Sequence, residues 1–99
     1  MMADSQLDSA VSEAWKAHRE GRHDVAIQDF RAILDQDAQH MDALYGLGLA
    51  QKAVDDKLGA KVSFGKLRDL LQRIIDEGES TDGNRMQLNM VNQRLKNLE

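Results

Sequence analysis

The 99-residue chain has no cysteine and no proline, and only 4% of it is aromatic. Without cysteine there is no disulfide and no thiolate ligand, a usage that accords with a cytoplasmic location. Without proline there is no rigid extended linker, and nothing breaks a helix from within. The shortage of aromatics leaves aliphatic and methionine side chains to fill a core. No apolar run approaches the roughly 18 residues of a membrane span, and no charged-then-apolar leader opens the sequence, so membrane insertion is not expected. Positive charge is short as well: 13 Lys and Arg stand against 17 Asp and Glu, for a net charge of −4. A duplex-binding surface needs the opposite balance to neutralise phosphates, so nucleic acid is not an expected partner.

What is present is the composition of one globular domain with a modest core, 41% hydrophobic and 30% charged. Five helical stretches separate, and no strand-like alternation appears. The first, about residues 5–20, carries Leu7, Ala10, Val11, Ala14, Trp15 and Ala17 at helical spacing, and Gly21 supplies its stop. The second, about 23–36, shows Val25, Ala26, Ile27, Phe30, Ile33 and Leu34. A third, about 39–53, has Asp37 as its expected N-cap and an inward stripe of Ala43, Leu44, Leu47, Gly48 and Ala50. The fourth runs from near Asp56 to about Glu77. It contains Gly59 and Gly65, each costing about 1 kcal/mol against alanine. A turn-rich loop over 76–84 precedes a fifth helix, about 83–97, with Leu88, Val91, Leu95 and Leu98 three and four residues apart.

The first two helices repeat in the next two at an offset of 34 residues. Ala10 aligns with Leu44, Ala14 with Gly48, Gly21 with Asp55, Ala26 with Ala60, Phe30 with Phe64, and Ile33 with Leu67. Small residues recur as faithfully as large ones. That matters because two helices approach closely only where a side chain is small. The pairs Ala14/Ala26 and Gly48/Ala60 are the expected close contacts, with Phe30 and Phe64 filling the space between successive pairs.

With this period and these residues, the sequence resembles the tetratricopeptide repeat family. The second unit, about 41–74, carries "ALYGLG" at 43–48, with Leu44 in the place of a tryptophan, followed by Ala60 and Phe64. The first, about 7–40, matches through Gly21, Ala26 and Phe30, and departs at Ala10, Glu13 and Ala38. The fifth helix fits a further first-type helix through Leu88, Val91 and Leu95, after about ten inserted residues and with Asn92 where glycine is usual. The resemblance implies an all-α fold, an α-solenoid of two helix pairs plus a C-terminal capping helix, in one domain over 1–99. Its structural core would be Ala14, Gly21, Ala26, Phe30, Leu44, Leu47, Gly48, Ala60, Phe64 and Leu67.

It also implies a concave face that takes a peptide or a helix of a partner protein. In this register the face carries Val11, Trp15, His18 and Arg19 from the first helix, and Asp42, Tyr45, Leu49 and Lys52 from the third. The fifth contributes Met86, Asn89, Gln93 and Lys96. Trp15 has two readings of equal weight, an anchor in the groove or a ring packed between neighbouring helices. The face as a whole competes with a plain solvated surface. The lysine–asparagine clamp by which some family members hold a carboxylate is not expected, because its places hold Val11, Trp15 and Gly46.

No catalytic constellation, phosphate loop or cofactor fingerprint is visible, so neither an enzyme nor a cofactor is expected. His18 and His23 flank one turn and His40 lies in the next, so they are expected to be surface residues that do not converge as metal ligands. Asp35, Asp37, Asp55 and Asp56 fall at helix ends, where they suit turns and helix N-termini. "TDGN" at 81–84 has the start of a calcium loop without its remaining carboxylates. Two functional readings follow. One is a protein–protein interaction module. The other is a self-associating repeat unit, as a homo-oligomer or within a longer repeat array, because two repeats are fewer than the roughly three that such stacks need.

Overall fold

In the computed structural model, which describes residues 4–78 and 81–98, the periodic stretches are five α-helices. They are α1 (Asp4–Arg19), α2 (His23–Gln36), α3 (Met41–Ala53), α4 (Lys57–Asp76) and α5 (Asp82–Asn97). No strand occurs among the described residues. Each helix packs on the next one in the chain, and α1 also touches α3. The molecule measures 35 × 35 × 19 Å. Its short dimension is that of two helix diameters, so the helices lie two deep.

The turns show why the chain reverses where it does. After α1, the Gly21 N–H bonds to the His18 carbonyl at 3.1 Å and the Arg22 N–H to the Ala17 carbonyl at 2.9 Å. This closure needs a left-handed residue, and Gly21 supplies it at φ +81°. After α3 the same pattern returns. The Asp55 N–H bonds to Lys52 at 3.0 Å and the Asp56 N–H to Gln51 at 2.8 Å, with Asp55 at φ +64°. An aspartate tolerates that region better than most residues, though at a cost glycine avoids.

The helix starts differ from expectation at one place. Asp37 does not cap α3. It is the C-cap of α2, and its Oδ1 accepts from the Gln39 N–H at 3.1 Å. His40 takes the N-cap position, with Nδ1 accepting from the Ala43 N–H at 3.1 Å, so α3 begins at Met41. Asp56 caps α4 through Gly59, and Thr81 caps α5 in a reciprocal box with Asn84. The "TDGN" stretch is thus a helix start.

Two apolar clusters form the interior. Ala14, Ala17, Ala26, Phe30, Ile33, Ala43 and Leu47 belong to the first. Leu44, Ala60, Phe64, Leu67, Leu71, Val91 and Leu98 belong to the second. Ala14, Ala26, Ala60, Phe30, Phe64 and Leu67 are all fully buried, whereas Gly21 is exposed on its turn. The large rings rest on glycines. A Cβ added at Gly46 would overlap the Phe30 ring, and one at Gly48 would lie 2.5 Å from Phe64 Cε1. Gly65 meets nothing, so its place in α4 has no packing explanation.

One buried polar pair joins α3 to α4. Gln51 and Ser63 are each only 3% exposed. With the amide oriented to satisfy both of its ends, the Gln51 nitrogen donates to Ser63 Oγ at 2.6 Å and to the Gly59 carbonyl at 3.0 Å. Burial without those partners would cost about 1–3 kcal/mol.

Three substitutions test this packing by urea unfolding. Phe64→Ala lowers stability by about 3–5 kcal/mol. Gly48→Leu lowers it by about 1–3 kcal/mol or more, because the new side chain meets the Phe64 ring. Asp55→Gly raises it by up to about 1 kcal/mol by relieving the left-handed backbone. Unchanged midpoints for the first two would refute the ring-on-glycine contacts.

Candidate functional site

Four aromatic side chains line up across α1, α2, α3 and α4. Trp15 meets Phe30 edge-on, with ring centroids 5.2 Å apart at 77°. Tyr45 leans on Phe64 at 5.9 Å. Trp15 and Tyr45 stand beside each other, 6.3 Å apart. The two phenylalanines are fully buried, whereas Trp15 and Tyr45 are half-buried. Each outer ring therefore has an inner edge fixed by the core and an outer part open to solvent. Residue spacing brings this about: Trp15 lies one residue after the buried Ala14, and Tyr45 one after the buried Leu44.

α5 completes the surroundings of Tyr45. The Tyr45 hydroxyl donates to Met90 Sδ at 3.7 Å, and Arg94 Cζ lies 5.9 Å from the Tyr45 ring centroid. A guanidinium over a ring face at an exposed site contributes about 0.5–1 kcal/mol. Neither Met90 nor Arg94 was among the expected groove residues. Their spacing of four shows that they share a face of α5, but only the docking of α5 shows that the face reaches Tyr45.

The other expected groove residues fall into three groups. Val11 is buried in the first cluster, only 9% exposed, and has little surface to offer. His18 and Leu49 are half-buried, and Leu49 packs on the second cluster. Arg19, Asp42, Lys52, Met86, Asn89, Gln93 and Lys96 are exposed. Of these, Gln93 bonds along its own helix to Asn97, and Asp42 lines a depression with Asp37, His40 and Gln87. A second depression, lined by Leu44, Lys66, Asp69, Leu70 and Arg73, also lies away from Trp15.

Two histidines meet across the first turn. His18 Nδ1 and His23 Nδ1 are 3.0 Å apart, with ring centroids at 4.8 Å. The His18 ring also meets Trp15 edge-on at 6.0 Å. Partial burial, and secondarily the charge of His23, hold the His18 pKa below its ordinary value. In sequence the pair reads as two surface residues flanking a glycine turn. The closure at Gly21 is what folds one against the other. Among the described residues no group of three or more histidine or carboxylate side chains is arranged to hold a metal ion. No described helix is long and apolar enough to cross a membrane.

Comparison with known proteins adds no relative: no family model, no curated protein and no solved structure matches the chain.

The histidine pair predicts a pH dependence. Its contact accommodates one proton between the two nitrogens but not two. The folded pKa of His18 lies below the reference value of 6.5, so the unfolded chain takes up its proton first. The stability tied to the neutral His18, set first by its partial burial and second by the nearby His23, is therefore present above that value and lost as pH falls through the lowered folded one. The urea midpoint of the wild-type chain should drop as pH falls below about 6.5, and more steeply than that of His18→Gln. Equal slopes would remove the pair from the account.

Proposed function

We propose that the chain is a tetratricopeptide-like protein–protein interaction module, an α-solenoid of two helix pairs closed by α5. It holds a peptide or helix of a partner protein along the face that α1, α3 and α5 share, and it catalyses no reaction. The observation that carries this reading is the Trp15–Tyr45 pair, 6.3 Å apart and open to solvent on one side while seated on the core on the other. Large rings held in place before binding give contact area at low ordering cost. The repeat arrangement draws support from the two left-handed turn closures at Gly21 and Asp55, and from the equal burial of Ala26 with Ala60 and of Phe30 with Phe64. A cytoplasmic setting fits the lack of cysteine.

A second reading, self-association, is favoured by apolar side chains outside the core. Leu58 and Val62, one turn apart on α4, are 78% and 57% exposed, and Met86 on α5 is 71% exposed. Of the three α5-end residues expected to mark such a contact, Met90 is 42% exposed, whereas Leu98 is only 5% exposed and Leu88 packs on the second cluster. A sedimentation mass of one chain at high concentration would dispose of this reading.

The interaction reading is tested by selecting peptides on the folded domain and mapping their amide shifts. Shifts should centre on Trp15, Tyr45 and their neighbours. Trp15→Ala and Tyr45→Ala should each weaken binding by about tenfold or more while helix content is retained. Shifts confined to the opposite faces of α2 and α4 would move the site elsewhere.

A further inference from the structure

We infer that His18 and His23 form a two-histidine chelate for a divalent transition metal of the copper(II) class. The inference stands apart from what the aromatic face binds, and neither depends on the other.

The two side chains come from opposite sides of the first turn. His18 lies in the last turn of α1, and His23 is the first residue of α2. The left-handed closure at Gly21 brings the chain back so that the two rings face each other through Nδ1, 3.0 Å apart. Neutral imidazoles at that distance share one hydrogen, with one Nδ1 donating and the other accepting. A metal ion takes the place of that hydrogen once both rings carry theirs on Nε2, and a neutral pair loses no proton in the exchange. Both histidines are half-buried, and an open depression lined by Gly21, Arg22, His23 and Asp24 reaches His23. Two protein nitrogens therefore hold the ion, and water fills its remaining positions.

The spacing selects among ions. Metal–imidazole bonds of about 2.0–2.1 Å to nitrogens 3.0 Å apart subtend an angle of about 90–97° at the metal. That is the angle between neighbouring ligands of a square-planar or octahedral ion, the geometry of copper(II) and nickel(II). A tetrahedral zinc ion needs its two nitrogens about 3.3–3.4 Å apart. Copper(II) also forms the tightest complexes with nitrogen ligands among the divalent ions of its row. Calcium and magnesium take oxygen ligands and have none in this pair. Local charge does not decide the matter. Lys16, Arg19 and Arg22 stand on these helix ends against Glu20 and Asp24, and Arg22 is paired with Glu20. The partial charges of the α1 C-terminus and the α2 N-terminus oppose each other as well. The affinity comes from the nitrogen donors.

The test titrates the untagged full chain with copper(II) sulfate in a buffer that does not bind copper. Trp15 is the sole tryptophan, and its ring centroid lies 6.0 Å from that of His18, so a paramagnetic copper(II) ion on the pair quenches its emission. Quenching should saturate at one ion per chain, and the bound copper should show nitrogen couplings in its electron paramagnetic resonance spectrum. His18→Gln and His23→Gln should each weaken binding by about tenfold or more. His40→Asn, which keeps a side chain able to cap α3, should bind copper as the wild-type chain does. His23→Gln carries the test if His18→Gln disturbs the Trp15 ring. Zinc sulfate should bind more weakly and displace copper only in large excess.

Copper affinity unchanged by His23→Gln would overturn the site, as would a loss of binding confined to His40→Asn. Quenching that rises without saturating would mark scattered carboxylate binding and overturn it too. Zinc held more tightly than copper would overturn the copper assignment. All of these outcomes leave the groove reading to its own peptide experiment.

Discussion

The seating of two phenylalanine rings on two glycines of α3 is the contact on which the remaining structure depends. Phe30 comes from α2 and lies on Gly46, and Phe64 comes from α4 and lies on Gly48. A single methyl group at either glycine would occupy the space of a ring. Each glycine costs α3 about 1 kcal/mol of helix propensity. Each fully buried phenylalanine returns about 1.5–3 kcal/mol. The balance favours the arrangement only while both helices stay close, so α3 acts as the post against which α2 and α4 are set. Trp15 and Tyr45 lean on those same two rings, and the position of the exposed face follows from the contact beneath it.

The two turns obey one geometry with different chemistry. Gly21 enters the left-handed region at little cost, and Ala17, whose carbonyl closes that turn, is an apolar core residue. Asp55 enters the same region with a side chain. There the carbonyl that closes the turn belongs to Gln51, whose side chain is bonded to Ser63 and Gly59 of α4. The more costly turn is thus the one tied to the following helix by a buried polar link. The turn at Asp55 lacks a glycine, and the Gln51 side chain ties the helices on either side of it together.

Much of this could be read in the residues. The five helices followed from apolar spacing, and the offset of 34 placed Ala26 with Ala60 and Phe30 with Phe64, all of them buried. Gly46 was harder to read, because its counterpart at the offset of 34 is Ser12, an exposed polar residue that does not mark a packing site. Its role depends on where α2 sends the Phe30 ring. The start of α3 was misread because Asp37 and His40 can both accept a backbone N–H, and periodicity cannot choose between them. Spacing also sets direction without depth: Val11 shares a stripe with Trp15 yet lies in the core, since a valine ends where an indole continues outward. The approach of Arg94 to Tyr45 crosses from α5 to α3 and has no signature in either helix.

Trp15 links the core, the first turn and the open face in one side chain. Its inner edge meets Phe30, its neighbour across the surface is Tyr45, and its third contact is His18, whose partner His23 opens α2. A ring held on three sides has few rotamers left open to it, so its orientation is set by folding. The same constraint makes the ring sensitive to the turn. The closure at Gly21 brings His23 to within 3.0 Å of His18, and so sets the support on one side of the indole.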